Sequence, residues 1–272
     1  MNRRLHFVVS VDGPIATGSL LPGWARIAAS SGYTVLNNTA DNAATGGTAD
    51  LALIEGPLPR LLPSARRCFI VDDGAPAPVL SDRIHRASAA GVLCPDPERV
   101  PILESAGLPS RTITPALEVW RWRRPVRPAW PQRPIVVATD VQLDGLTRIT
   151  TLPMPPAHPA DGGLLPYPTT AQAVVLAAVP VRPGPALTAL ATGLPLVLPP
   201  GALFWLGPFA ALRLSAAEAG DELRRLAQEP AAWFDQIAEG RAALARVARR
   251  SEFLLDLAGL FDQEDSTSGG PL

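Results

Sequence analysis

The hydrophobic positions of this chain form short apolar runs that alternate with longer amphipathic stretches. The runs predict buried strands, and the stretches between them predict helices. The predicted strands are residues 5–11, 33–37, 50–54, 67–71, 91–94, 111–114, 135–139, 149–152, 174–177, 196–198 and 212–214. Strands that alternate with helices in this way build parallel sheets that are covered on both faces. The sequence therefore predicts an α/β fold with doubly wound sheets.

The clearest single unit lies within residues 173–200. An apolar strand at 174–177 is followed by a loop rich in proline and glycine, an amphipathic helix at 186–192 and a second buried strand. Together these elements make one βαβ unit. Ligands of parallel sheets bind beyond the carboxyl ends of the strands, which makes the loop at 180–185 a candidate binding site.

A change in composition divides the chain into two domains. Residues 120–133 contain three tryptophans and five arginines among prolines, which is typical of an extended linker. We expect an N-terminal domain over 1–119, a C-terminal domain over 134–261 and a disordered polar tail over 262–272. The linker's tryptophans and arginines could stack on bases or bind phosphates. Packing of the rings on both domains, with the arginines in water, is the simpler interpretation.

The composition restricts the chemistry that is available. The 272 residues carry 24 basic and 25 acidic side chains, so no overall field attracts nucleic acid or an anionic membrane, and no nucleic-acid partner is expected. Every basic residue is arginine, which excludes a Schiff base or a Walker-type lysine. Cys68 and Cys94 lack metal-ligand spacing and are expected to be reduced core residues of a cytoplasmic protein. No metal motif is found, and no cofactor is expected.

Two stretches of the N-terminal domain carry candidate chemistry. The glycine-rich turn from Gly13 joins the first strand to a helix, and it forms either a diphosphate contact or a plain tight turn. Asp72 and Asp73 follow the strand at 67–71, where a catalytic base or a contact to an acceptor hydroxyl is commonly placed. A solvated turn in which an aspartate caps the next segment explains this pair equally well.

Two longer segments carry a family resemblance. They are residues 89–109, AAGVLCPDPERVPILESAGLP, and residues 185–199, PALTALATGLPLVLP, the second of which is followed by a further matching stretch at 214–247. In order and residues they resemble the GT-B glycosyltransferases, in particular the retaining family four. The first segment is similar to the region ahead of that family's interdomain crossing, and the second to the end of its donor domain. The resemblance implies two Rossmann-like domains that face each other across a cleft.

The resemblance also implies an activity. The C-terminal domain would hold a nucleotide-sugar donor, and its sugar would pass, without a metal, to a hydroxyl acceptor on the N-terminal domain. The family's donor site usually has two glutamates eight positions apart, but this chain has Thr188 at one position and Pro180 or Val181 at the other. The resemblance assigns the acceptor carboxylate to Asp72 or Asp73, and the donor contacts to Gly13, Thr139, Arg148, Arg182, Gly184 and Thr188.

The missing glutamates support a second hypothesis, a catalytically inactive GT-B-like subunit or regulator of another protein. The apolar residues Leu203, Phe204, Trp205 and Phe209 stand where the family has a polar turn. They either add packing between the domains or form a patch for a partner subunit, a lipid-linked acceptor or the membrane surface. The expected location is the cytoplasm, with attachment to the inner face of the membrane as the alternative.

Overall fold

The computed structural model describes residues 3–9, 19–39, 48–117, 135–140, 149–153 and 171–262. Several features predicted from the sequence lie outside these ranges. They are Gly13, Arg148, the linker at 120–133 and the tail beyond residue 262.

The first sheet consists of parallel strands in the order β2-β1-β3-β4-β5-β6. The strands are β1 (Arg4–Val9), β2 (Thr34–Thr39), β3 (Ala49–Glu55), β4 (Ala65–Val71), β5 (Val92–Cys94) and β6 (Ser110–Thr112). Nearly every residue of β3 is buried, and its positions 51–54 form a continuous apolar run, as expected of a strand that is covered on both faces. The strand order reverses between β1 and β3, where doubly wound sheets open a crevice for ligands.

The second sheet is also parallel, in the order β11-β10-β9-β7-β8. Its strands are β7 (Ile135–Thr139), β8 (Ile149–Pro153), β9 (Ala173–Val175), β10 (Leu196–Leu198) and β11 (Leu212–Arg213). If the strands of this sheet are renumbered 1 to 5 in chain order, their spatial order is 2-1-3-4-5. The first five strands of the other sheet have the same order. The order here reverses between β7 and β9. All the strands predicted from the sequence have counterparts, and the α/β fold with parallel sheets is confirmed.

The helices of the described ranges begin and end where the local sequence favours it. They are α1 (Leu21–Ala29), α2 (Ala77–Ala87), α3 (Arg99–Ser105), α4 (Pro183–Thr192), α5 (Ala216–Leu226), α6 (Pro230–Val247) and α7 (Arg250–Asp262). Ser215 and Glu218 form a capping box that fixes the first residue of α5. Gly193 ends α4 with a φ of 74°, a conformation that favours glycine.

The prediction that α4 is amphipathic was wrong. Every residue from Pro183 to Ala191 is buried, so this helix is covered on all sides. The reason lies in α6, where Gly240 has no side chain and Leu190 of α4 fills the space. A Cβ at position 240 would lie 2.8 Å from a methyl carbon of Leu190. A helix whose outer face is covered in this way needs no polar side, and its own sequence cannot show which residue covers it.

The chain divides into two compact units, residues 1–117 with 248–272 and residues 118–247. The sequence led us to expect α7 in the C-terminal domain, whereas the structure places it in the first unit. Phe253 is fully buried, with its ring 5.0 Å from the ring of Trp24. The Asp256 carboxylate accepts a hydrogen bond from the Thr114 amide at 2.7 Å. The apolar positions of α7 suit either core, so its sequence alone could not assign it.

His6 on β1 is a buried polar residue and gives the first unit a predictable response to acid. The residue is 1 % exposed, and within the described ranges neither ring nitrogen has a hydrogen-bond partner. Burial lowers the pKa of His6, so the folded protein favours the neutral ring. The unfolded chain takes up a proton at an ordinary pKa of about 6.5. The contribution of His6 to stability is therefore lost as the pH falls below that value.

We expect His6→Leu to reduce the loss of stability between pH 7 and pH 5, where the wild-type histidine can cost up to about 1.4 kcal/mol per pH unit. Urea unfolding of both proteins at pH 5, 6 and 7 measures this difference. His85→Leu is the matched control, because His85 is exposed on α2 and its loss should leave the slope unchanged. An identical slope in the wild type and in His6→Leu would mean that His6 does not titrate differently on folding.

Candidate functional site

A row of buried acidic residues marks the carboxyl edge of the first sheet. Glu55 ends β3, Asp72 follows β4, and Asp96 lies two residues beyond β5. They are 6 %, 4 % and 7 % exposed, respectively. Because adjacent parallel strands end at the same edge, the three carboxyl groups follow one another along the crevice side of the sheet. Of this row, the sequence alone indicates Asp72, together with the adjacent Asp73.

The Asp72 carboxylate is held by an arginine and by its own turn. Arg99 donates from Nε to Oδ2 at 2.9 Å and from Nη2 to Oδ1 at 3.2 Å. The Gly74 amide donates to Oδ1 at 3.0 Å. Arg99 also donates to the Ala75 carbonyl at 2.8 Å, so the guanidinium joins the carboxylate to the turn that follows it. This bidentate pair is the strong form of a charge-assisted hydrogen bond.

The Asp73 carboxylate has a similar arrangement with a different arginine. Arg83 of α2 donates to Oδ2 at 2.9 Å, and the Ala75 amide donates to Oδ1 at 3.1 Å. Of the two interpretations left open by the sequence, the turn fits these bonds, because each aspartate accepts from the amide two residues further on. Both aspartates are nevertheless buried, and neither caps α2, whose N-cap is Pro76. Both carboxylates are fully engaged by an arginine and a backbone amide, so the geometry favours a structural role for both residues.

Glu55 was missed in the sequence, and it lies where the order of the first sheet reverses. The Ser19 hydroxyl donates to its Oε2 at 2.5 Å and accepts from the Leu21 amide at 3.2 Å. The serine thereby connects the start of α1 to the end of β3. A usable signal was present, because Glu55 follows an apolar run and precedes Gly56, just as Asp72 and Asp73 precede a glycine.

Asp96 is the second acidic residue that the sequence analysis missed. Burial raises the pKa of its carboxyl to about 6, although the Glu98 amide donates to Oδ1 at 2.9 Å and opposes the rise. A carboxyl with a pKa in this range can accept or release a proton close to neutral pH. The neighbouring thiol of Cys94 does not exchange a proton near neutral pH, because burial raises its pKa and keeps it protonated.

In the second unit, one carboxylate connects the two strands at the reversal point. Thr139 ends β7 and is 5 % exposed, and Asp140 follows it. Oδ1 of Asp140 accepts from the Ala177 amide at 2.8 Å, and Oδ2 accepts from the Ala178 amide at 3.2 Å. Loss of surrounding water raises the pKa of Asp140. The two amides and the nearby Arg182 guanidinium oppose that rise.

The start of α4 offers fewer amide donors than an ordinary helix. Arg182 is its N-cap, and Pro183 and Pro185 occupy positions in the first turn. Proline has no N–H group, so Gly184 supplies the remaining amide between the two prolines. Thr188, one turn further on, is 4 % exposed. Arg182 and Gly184 thus lie at the start of α4, in the connection that follows β9, whereas a ribose contact would require the Thr188 hydroxyl to be uncovered.

The apolar block between β10 and β11 is only partly exposed. Phe204 and Phe209 are 53 % and 71 % exposed, whereas Leu203 is buried. Trp205 is half-buried, and its indole nitrogen is buried without a hydrogen-bond partner among the residues described. A short 3-10 helix runs from Phe204 to Leu206 and has three residues per turn. Leu203 and Leu206, three positions apart, therefore lie on the same side and are both buried, whereas Phe204 is exposed.

The described residues form neither a metal-binding cluster nor a membrane-spanning helix. No cluster of three or more histidine, cysteine, aspartate or glutamate side chains suited to a metal ion occurs in the described part of the chain. Among the helices given above, none has both the length and the apolar character needed to cross a membrane. Both cysteines are free thiols, and burial raises the pKa of Cys68 to about 12.

Comparison with known proteins gives a clear answer for the fold. No protein-family model matches the sequence, and no curated protein sequence matches it either. Solved structures match 95–96 % of the chain. HepE from Anabaena with UDP and glucose has a TM-score of 0.57 at 9 % identity, over 100 % of its own chain.

Two further structures agree. Sucrose-phosphate synthase from Thermosynechococcus elongatus has a TM-score of 0.57 at 10 % identity, over 98 % of its chain. An alpha-glucosyltransferase in complex with UDP and a 13-mer DNA has a TM-score of 0.58 at 9 % identity, over 99 % of its chain. Identities this low establish the fold alone. The fold is that of the GT-B glycosyltransferases, with two Rossmann-like α/β units.

Proposed function

We propose that this protein is a glycosyltransferase that moves a sugar from a nucleotide-sugar donor to a hydroxyl acceptor. The observation that carries the proposal is the likeness over nearly the whole chain to transferase structures, among them one with UDP and a DNA bound. HepE, which has the same architecture, holds UDP and glucose. The assignment to the retaining family four rests on the sequence resemblance alone.

In this proposal the donor binds at the carboxyl edge of the second sheet. The diphosphate leaving group needs positive charge and N–H donors in the transition state. Arg182 and the Gly184 amide supply them beside β9, and Thr139 lies at the end of β7. Because the cation is an arginine, the proposal requires no metal. Thr188 is the proposed ribose contact, and Arg148 and Gly13 complete the set proposed from the sequence.

The acceptor hydroxyl needs a carboxylate from the first unit. Asp72 and Asp73 are the residues proposed from the sequence, but their arginine pairs favour a structural role. Asp96 has a pKa of about 6 and is better suited to accept a proton near neutral pH. We therefore extend the proposed acceptor site to Asp96. Phe204 and Phe209 are the exposed part of the block proposed to contact a protein partner or the membrane surface.

One observation favours the alternative, an inactive GT-B-like subunit. The first turn of α4 has two prolines. The two positions that carry glutamates in the glycosyltransferase family that this chain resembles are occupied here by residues without a carboxylate. A helix start with few amide donors and no acidic partner for a sugar is a weak donor site. The two hypotheses make different predictions for nucleotide binding.

We expect at least one of UDP, ADP, GDP and dTDP to raise the melting temperature of the protein. At a concentration a hundred times its dissociation constant, a ligand stabilises the folded state by about 2.7 kcal/mol. Arg182→Ala should weaken binding of that nucleotide by about tenfold or more, because a charge-assisted contact to phosphate is lost. Isothermal titration calorimetry measures the affinities.

Arg225→Ala is the matched control for this experiment. Arg225 lies in the same unit on α5, pairs with Glu222 and Glu229, and is exposed. Its removal makes the same change in net charge, so nucleotide affinity should stay at the wild-type value. If none of the four diphosphates raises the melting temperature or gives a binding isotherm, the transferase proposal fails in favour of the inactive subunit.

A further inference from the structure

Two consecutive backbone amides of the second unit donate hydrogen bonds to an anionic side chain of the same protein, the carboxylate of Asp140. The amides of Ala177 and Ala178 both point at the carboxylate of Asp140, one to each oxygen, at 2.8 and 3.2 Å. Asp140 is 37 and 38 residues away from them in sequence. The arrangement is therefore a tertiary contact and not a local turn.

Both the position in the sheet and the backbone N–H donors are typical of a site that binds an anion through its oxygens. Successive amides that converge on one point form a concavity that binds anions. This one lies where the strand order reverses between β7 and β9, the position at which parallel sheets take their ligands. Arg182 lies close enough to favour the ionised form of Asp140. Asp140 and Ala178 are exposed and Ala177 is half-buried, so this group of residues lies at the protein surface.

We propose that the Ala177 and Ala178 amides, together with Arg182, form a phosphate site that Asp140 occupies in the free protein. A phosphate has the same charge sign and oxygen spacing as the carboxylate, so it competes for the same two amides. Because Asp140 is exposed, its carboxylate can turn into water when it is displaced. The identification of this phosphate as part of a nucleotide-sugar rests on the proposed function, whereas the oxyanion site does not.

This arrangement makes Asp140 an internal competitor. A phosphate must break two hydrogen bonds before it can bind, and afterwards it lies beside a like charge. Removal of the carboxylate eliminates both costs. In most anion sites the loss of a polar residue weakens binding, so an increase in affinity is a distinctive signature of the proposed site.

Calorimetric titration with inorganic pyrophosphate and with UDP tests this inference on the full chain. We expect Asp140→Ala to bind pyrophosphate at least about tenfold more tightly than the wild type, the change that a single charge-assisted hydrogen bond represents. Asp140→Asn should gain less, because its amide oxygen still accepts from one of the two N–H groups. Asp235→Ala removes the same charge from an exposed position on α6, and it should not change the affinity.

Several results would overturn the inference. Unchanged or weaker pyrophosphate binding by both Asp140 variants, at a melting temperature near that of the wild type, would show that the amides do not bind phosphate. An equal gain in Asp235→Ala would show a general effect of net charge. A wild type that binds UDP tightly, with loss of binding in Asp140→Ala, would overturn the inference while the proposed function stands. Conversely, a gain for pyrophosphate without binding of any nucleotide would support the site and contradict the proposed function.

Discussion

Asp72→Ala is expected to lower the free energy of unfolding of the first unit by about 3–5 kcal/mol, the cost of breaking a buried ion pair from one side. The Asp72 side chain is 2 % exposed and that of Arg99 is 14 % exposed. The substitution leaves the Arg99 guanidinium buried without its carboxylate, and it also leaves the Gly74 amide without its acceptor. Urea unfolding at pH 7, followed by tryptophan fluorescence, measures the change.

A surface pair on the neighbouring helix provides the control. Asp82 and Arg86 of α2 lie 3.4 Å apart with both side chains 61 % exposed. Asp82→Ala should therefore cost no more than about 0.5 kcal/mol. The double variant Asp72→Leu with Arg99→Met removes both buried charges, and it should recover much of the stability lost in Asp72→Ala.

These variants, together with Asp72→Asn, decide between a structural and a catalytic Asp72. A structural carboxylate gives a large loss of stability that the paired substitution repairs. A catalytic one gives wild-type stability in Asp72→Asn together with loss of sugar transfer. If Asp72→Ala unfolds within about 0.5 kcal/mol of the wild type, the ion pair with Arg99 contributes little, and the role inferred from the geometry is wrong.

The sheets could be predicted from the sequence because their strands are buried on both faces. Positions 51–54 of β3 and the whole of β10 are buried and therefore appear as uninterrupted apolar runs. The order of the strands could not be predicted in the same way. It depends on the side to which each crossover helix turns, and that choice is made by tertiary packing rather than by the residues of the strand.

The candidate site was predictable in position but not in detail. Acidic residues after an apolar run indicate the carboxyl edge of a sheet, and this located Asp72 and Asp73. Their partners Arg83 and Arg99 are on later helices, 10 and 27 residues away, at spacings that mark no motif. The contact of Asp140 with the loop after β9 spans a similar distance. Such pairs become visible only when the strands are placed side by side.

Phe253→Ala is expected to lower the stability of the first unit by about 3–5 kcal/mol, the usual cost of removing a large buried ring. Phe253 is fully buried, and its ring is tilted by 35° at 5.0 Å from Trp24 of α1. The substitution leaves a cavity between α7 and α1. Since α7 also holds the Thr114 amide through Asp256, loss of its packing should weaken that hydrogen bond as well.

Hydrogen exchange of peptides from each unit tests both the size and the place of this effect. Protection should fall in 21–29 and 49–55 of the first unit and stay unchanged in 183–192 and 216–226 of the second. Leu255→Ala is the control on the same helix, because Leu255 is 72 % exposed and contributes little to the core. A loss of protection confined to the second unit would instead assign α7 to the domain that its place in the sequence suggested. The experiment thus measures where the last helix contributes its stability, which its apolar pattern alone does not reveal.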